Sequence, residues 1–70
     1  MKYTEAEKLK VGDLVIIDKR AKRYAGLILE IEEITGHDNW CYRVTLKQAY
    51  LDGGFRIRNY DTRHLQRYEP

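Results

Sequence analysis

The sequence predicts an all-β fold: a small, five-stranded, half-open barrel with a short C-terminal helical turn. Two observations indicate this fold. Short runs of aliphatic and β-branched residues alternate with turn signals rich in Gly, Asp and Asn, and no segment has both the length and the 3.6-residue period of a stable helix. Five short strands in an open sheet would expose unpaired backbone at both edges, which favours partial closure of the sheet.

The length of the chain limits both its organisation and its stability. It has 70 residues, which suits a single domain and leaves no room for a second core. We therefore expect residues 1–70 to form one barrel domain. A core of this size supplies roughly 3–5 kcal/mol, and Cys41, the only cysteine, cannot form an internal disulfide. The packing of the strands must therefore provide the stability.

The first two predicted strands have the clearest patterns. The turn Val11-Gly12-Asp13 leads into the apolar run LVII at residues 14–17, which suits a short buried strand. A second strand starts after Gly26. Its inward side chains alternate with outward ones and are Leu27, Leu29 and Ile31. Ile34 is out of phase with them, and we interpret this as a β-bulge at Glu32-Glu33 that returns Ile34 to the core.

The third predicted strand alternates over residues 40–47. Its inward side chains are Trp40, Tyr42, Val44 and Leu46. Paired with the second strand, it would place Ile34 opposite Tyr42, Ile31 opposite Val44, Leu29 opposite Leu46, and Glu32 and Glu33 opposite Arg43. These pairs and the bulge are mutually consistent, because both direct the same apolar side chains to one face.

A turn at Asp52-Gly53-Gly54 introduces the fourth predicted strand. Phe55 and Ile57 point inward in this strand, and Arg56 and Arg58 point outward. The alternation therefore places two arginines on the outer face of the barrel.

Short helical turns are predicted near both ends of the chain. Asp61 or Thr62 caps a turn at residues 63–65, and residues 66–68 form the last strand. Residues 4–7, with Thr first and Glu three positions later, have the spacing of a capping box. A helix this short cannot be stable alone, so it must pack against the sheet.

Charge is segregated along the chain, although the net charge is only +2. The five residues KRAKR at positions 19–23 carry +4, whereas residues 24–42 carry −4. The chain is therefore dipolar rather than uniformly basic. We do not expect the whole surface to bind polyanions, and any affinity for anions should be local.

The sequences VGDLVIID at residues 11–18 and GLILEIEEI at residues 26–34, joined by a basic loop, resemble the first two strands of SH3-like (Src-homology-3-like) barrels and, within that class, the KOW motif. The resemblance covers residues 11–34. It implies an SH3-like barrel and, through the KOW motif, RNA binding of the ribosomal or transcriptional type. KOW modules usually carry additional glycines around this loop, whereas this chain has Gly26 alone. In size, the chain also resembles small single-domain proteins of phages and mobile elements.

Enzymatic functions are not expected. The chain has no serine, so a Ser-His-Asp triad is impossible. Cys41 is predicted to pack in the sheet, and together with His37 and His64 it lacks the usual spacing of zinc ligands. There is no Gly-rich phosphate loop, and Glu32-Glu33 fits a solvated bulge better than an acid/base pair. We therefore expect a binding domain without a cofactor, a metal or a small-molecule substrate.

The expected location follows from cysteine usage and hydropathy. A lone thiol fits a reducing cytoplasm. The chain starts without the pattern of a signal peptide, and its longest strongly apolar run is residues 14–17, too short for a membrane span. We expect a cytoplasmic protein without membrane association.

The candidate binding residues are basic and aromatic. The loop between the first two strands supplies Lys19, Arg20, Lys22, Arg23 and Tyr24. The outward face adds Arg56 and Arg58, with Arg43 and Lys47 beside them, and the C-terminal turn adds Arg63, followed by His64 and Arg67. Cations beside an aromatic ring suit phosphate contact with base stacking, and Tyr24 and Tyr60 are the tyrosines expected at the contact. If the loop folds over the outward face, these groups form one surface.

Two functions remain open at this stage. The first is binding of RNA or DNA through the basic loop and the arginine face. The alternative is a protein–protein interaction, in which the loop docks on an acidic partner surface or a free sheet edge accepts a strand. Binding of proline-rich peptides fits less well, because peptide-binding domains of this fold carry an acidic loop here, and the tyrosines lack the spacing of a methyl-lysine cage. A third interpretation is that the loop is solvated surface, with Arg43 paired to Glu32 or Glu33.

Overall fold

The computed structural model describes residues 1–37, 42–50 and 53–69. Its strands are β1 (Leu14–Ile17), β2 (Ile28–His37), β3 (Tyr42–Gln48), β4 (Arg56–Asp61) and β5 (Leu65–Arg67). A single helical turn, α1 (Tyr3–Ala6), precedes β1, and a 3-10 helix (Thr62–His64) connects β4 to β5. The prediction of an all-β fold with five strands and a C-terminal helical turn is confirmed. No helix in the described ranges is long and apolar enough to cross a membrane.

The five strands form one antiparallel sheet in the order β4-β3-β2-β1-β5. The edge strands β4 and β5 are consecutive in sequence and are joined only by the 3-10 helix. The chain therefore crosses from one edge of the sheet to the other in a single helical turn. Within the described residues these two edges do not pair, so the sheet is not closed, in agreement with the predicted half-open barrel.

Strand β2 contains the predicted bulge and a second irregularity. The register with β3 shifts between Ile31 and Glu33, which confirms the bulge at Glu32-Glu33. It shifts again between Ile34 and Gly36. The prediction that Ile34 reaches the core is wrong, because its side chain is 40% exposed. The second shift follows Ile34 immediately, and β2 leaves the core at this point.

The predicted pairing of β2 with β3 has the right faces but the wrong register. The observed partners are Leu29 with Gln48, Ile31 with Leu46, and Ile34 with Val44. The predicted partners in β3 each lie two residues before the observed ones. A shift of two preserves which side chains point inward, so alternation alone cannot detect it. As a result Glu33 lies opposite Thr45, and Arg43 lies opposite Gly36.

The core lies on one face of the sheet and is covered by the N-terminal segment. Its buried apolar side chains are Ala6, Leu9, Val15, Ile17, Leu29, Ile31, Val44, Leu46 and Leu65. Tyr42, Ile57 and Tyr60 are partly buried against it. Leu27 and Phe55, which were expected to point into the core, are 37% and 41% exposed. Both lie just before the start of a strand, where alternation no longer fixes the direction of a side chain.

The short helical elements differ slightly from the predicted ones. Helix α1 begins at Tyr3, so Thr4 lies inside it rather than capping it. Asp61 caps the 3-10 helix as predicted, because its carboxylate accepts a hydrogen bond from the backbone N–H of Arg63. Leu65, expected in the helical turn, instead starts β5 and is fully buried. The predictions for Trp40, Cys41 and Asp52 fall outside the described residues.

We expect Gly26→Ala to lower the free energy of unfolding by about 1–2 kcal/mol, because left-handed backbone is costly for a residue with a Cβ atom. Gly26 has φ 84°. Urea denaturation of the two proteins measures the difference. Gly36→Ala is the matched control, since an added Cβ meets no atom within 4 Å at either glycine and only Gly26 has positive φ. Equal effects of the two substitutions would contradict this explanation.

Leu46→Ala should remove most of the stability of the domain. Leu46 is fully buried in β3, which lies between β4 and β2 in the sheet. Truncating a buried leucine costs about 2–5 kcal/mol, which is comparable with the whole contribution of a core this small. Far-UV circular dichroism during thermal unfolding measures the loss. The control is Val11→Ala, because Val11 is 65% exposed and should tolerate the change.

Candidate functional site

The loop between β1 and β2 starts at a buried carboxylate. The side chain of Asp18 accepts hydrogen bonds from the backbone N–H of Arg20 at 2.9 Å and from the Arg20 guanidinium at 3.2 Å. The side-chain amide of Gln66 in β5 donates a further bond at 3.3 Å. The backbone N–H of Asp18 donates to the carbonyl oxygen of His64 at 2.8 Å. Asp18 therefore joins the loop to β5 and to the 3-10 helix.

These contacts favour the ionised form of Asp18. The backbone N–H of Arg20, then its guanidinium, lower the pKa of Asp18 to about 2, against a smaller opposing effect of burial. The carboxylate is therefore charged throughout the neutral range. It orients Arg20 even though the Arg20 side chain itself is 83% exposed.

The far end of the loop packs on the start of β4. The ring of Tyr24 stacks on Phe55, with 5.9 Å between the ring centroids and 24° between the planes. The guanidinium carbon of Arg23 lies 5.4 Å from the centroid of the Tyr24 ring. Tyr24 has φ 63°, and Gly26 then returns the chain towards β2 with a hydrogen bond from its N–H to the Ile17 carbonyl oxygen. The loop is thus anchored at both ends.

A pocket of about 420 Å³ lies between this loop and the end of β4. We call it the loop pocket. Its lining residues are Arg20, Ala21, Lys22, Arg23, Tyr24, Tyr60 and His64. Tyr60 and His64 meet edge to face, with 6.4 Å between ring centroids. Burial, and to a smaller extent the charge of Asp61, raises the pKa of Tyr60, so its hydroxyl stays protonated at neutral pH.

Of the predicted contact residues, the structure brings Arg20, Lys22, Arg23 and Tyr24 together with Tyr60 in the loop pocket. Lys19 lies on the same loop but faces a neighbouring surface near Ile16, Gly26 and Gln66. His64, expected only as part of a basic turn, forms a wall of the pocket. The Asp61 cap is the sequence signal that could have indicated this placement, because the helical turn that follows it carries His64 back beside Tyr60.

Arg56 and Arg58 do not join the loop pocket. Arg56 donates to both carboxylate oxygens of Glu32 at 2.8 Å. This hydrogen bond is the main cause of the lowered pKa of Glu32 and of the raised pKa of Arg56. The charge of Arg58 makes a small further contribution to lowering the pKa of Glu32.

The loop and the arginines of β4 make different contacts. Phe55 contacts the loop through Tyr24, whereas Arg56, the next residue, pairs with Glu32 of β2. The outer face also carries the ion pair of Lys47 with Glu30 at 3.4 Å. Because neither Arg56 nor Arg58 lines the loop pocket, a single surface made of the loop and the outward face stays a prediction.

The remaining predicted contact, Arg63, pairs with the capping residue Asp61 at 2.6 Å. It thus supports the 3-10 helix and does not line the loop pocket. Among the described side chains, no group of three or more His, Cys, Asp or Glu could hold a metal ion.

Asp18→Asn should lower the melting temperature at neutral pH and flatten its acid dependence. The pKa of Asp18 in the folded protein, about 2, is below its ordinary value of 3.8. Its ionised form therefore stabilises the fold fully above pH 3.8, and this contribution is lost as the pH falls towards 2. Melting temperatures from pH 6 to pH 2 test this for both proteins. With Glu33→Gln, which replaces an exposed carboxylate, the wild-type acid dependence should persist; the same dependence in Asp18→Asn would refute the assignment.

Comparisons with protein-family models, with curated proteins and with solved structures found no match to this chain.

Proposed function

We propose that this chain is a non-enzymatic nucleic-acid-binding domain whose contact surface is the basic loop, residues 19–24. The observation that carries the proposal is that three basic side chains of this loop are available to a ligand. No salt bridge in the described part of the chain involves Lys19, Lys22 or Arg23, and all three are exposed. Phosphate binding needs cations that are available in this way.

Five of the other basic side chains that the structure describes are paired with carboxylates of the protein itself. Such ion pairs are Arg20 with Asp18, Lys47 with Glu30, Arg56 with Glu32, Arg63 with Asp61 and Arg67 with Asp13. Two of these pairs also neutralise acids of β2. The acidic segment therefore does less to repel a polyanion at the loop than its sequence alone indicates.

The aromatic groups beside the cations favour nucleic acid over an acidic protein surface. A carboxylate-rich partner needs only the positive charges. Here Arg23 lies over the Tyr24 ring, and Tyr60 and His64 line the same pocket. Rings and cations together are typical of surfaces that bind bases as well as phosphates.

We also propose that the domain is an SH3-like barrel. Five antiparallel strands in an unclosed sheet, a basic loop between the first two strands and a helical turn before the last strand support this proposal. A barrel of this kind presents the loop as an exposed arm held at both ends. Such an arm places cations in solvent without exposing the core.

Lys22→Ala/Arg23→Ala should weaken binding of a fluorescein-labelled single-stranded oligonucleotide and reduce its dependence on salt. If each cation contacts one phosphate, the slope of log K against log salt falls by about 0.7 for each cation removed. Fluorescence anisotropy over a range of salt concentrations measures both quantities. RNA and DNA strands of one sequence, measured in parallel, show which sugar is preferred.

The matched control is Lys8→Ala/Lys10→Ala, which removes the same net charge. These lysines precede β1 and the loop follows it, so the two sites lie at opposite ends of that strand. The control should bind as wild type does. An equal loss in both variants would mean that only net charge matters, and the absence of binding at low salt would refute the proposal. If polyglutamate binds as tightly as the oligonucleotide, the acidic-protein alternative is favoured instead.

A further inference from the structure

We infer, resting on the proposed function, that the loop pocket takes one unstacked base of a single-stranded nucleic acid. The basic loop accounts for phosphate contact alone, which duplexes and single strands share. The pocket adds a concave, mainly apolar space that a phosphate does not need. Its volume of about 420 Å³ lies near the lower end of the roughly 300–1,000 Å³ found for ligand pockets. It therefore suits a single planar group rather than a folded partner.

The pocket walls offer contacts that suit a base. On one side are Arg23 and Tyr24, held in place by the stacking of Tyr24 on Phe55. On the other side are Tyr60 and His64, fixed by the packing of Tyr60 against the core and by the bond between the His64 carbonyl and Asp18. Aromatic rings and arginine guanidinium planes are the groups on which unpaired bases stack. Because both walls are positioned before a ligand arrives, little side-chain order is lost on binding.

The pocket also offers a hydrogen-bond donor and a cation. The Tyr60 hydroxyl is a donor at neutral pH, since its ordinary pKa is 10.0 and burial raises it further. The cation of Lys22 lies at the same pocket, where it can meet the phosphate attached to the bound base. A base paired inside a duplex presents neither of its faces to these groups, so single strands are the expected ligand.

The test compares an oligothymidine with an abasic strand of the same length and the same number of phosphates. By anisotropy at low salt, the oligothymidine should bind about tenfold more tightly, within the range that one stacked base contributes. His64→Ala and Tyr24→Leu should remove this difference between the two strands. Tyr60→Phe keeps the aromatic ring and should retain most of the difference in affinity between the two strands. The control is Tyr50→Ala, because Tyr50 is 74% exposed and does not line the pocket.

Two pocket variants, His64→Ala and Tyr24→Leu, are used so that the test does not depend on the folding of one of them. The dispersion of amide NMR signals shows whether each variant is folded. Equal affinity for the thymidine and abasic strands, with both weakened by Lys22→Ala/Arg23→Ala, would overturn the base pocket and leave the proposed function standing. The absence of binding to any strand would overturn both. A tenfold preference that survives His64→Ala and Tyr24→Leu in folded protein would also refute the pocket, because the base would then bind elsewhere.

Discussion

The buried carboxylate of Asp18 is the contact on which the candidate surface depends. It lies at the end of β1, where it receives the backbone and guanidinium of Arg20 and the side chain of Gln66, while its own N–H reaches the His64 carbonyl. One wall of the loop pocket belongs to the loop and the other includes the 3-10 helix. Asp18 touches both segments. A single residue therefore links two parts of the chain that are far apart in sequence, the loop through its carboxylate and the 3-10 helix through its backbone N–H.

The distribution of ion pairs separates the molecule into two electrostatic regions. On the outer face, each of Lys47 and Arg56 is matched to a glutamate of β2, so these four charges neutralise one another. The loop keeps Lys22 and Arg23 without such partners among the described residues. Pairing between strands thus neutralises part of the acidic segment, whereas the loop keeps its positive charge.

The fold was largely predictable from sequence, because alternation and turn residues report directly on strands. They identified β1, the bulge at Glu32-Glu33 and the Asp61 cap. The β2–β3 register was missed by two residues, since that shift leaves every side chain on its original face. For the site, the basic loop with Tyr24 was predictable from the sequence, but the residues that the loop contacts were not. Whether Tyr24 meets Phe55 or Arg56 depends on the direction of one side chain at the start of β4, which no local pattern determines.

The pairing of β1 with β5 has a consequence for how the chain reaches this structure. The two strands are neighbours in the sheet, and the contact of Asp13 with Arg67 joins positions 54 apart in a chain of 70. Contacts of such long sequence separation form late, because most of the chain must be ordered before they offset the entropy of closing the loop. The 3-10 helix and β5 are therefore expected to dock last in folding. The wall of the loop pocket that contains His64 would then form only in the fully native state.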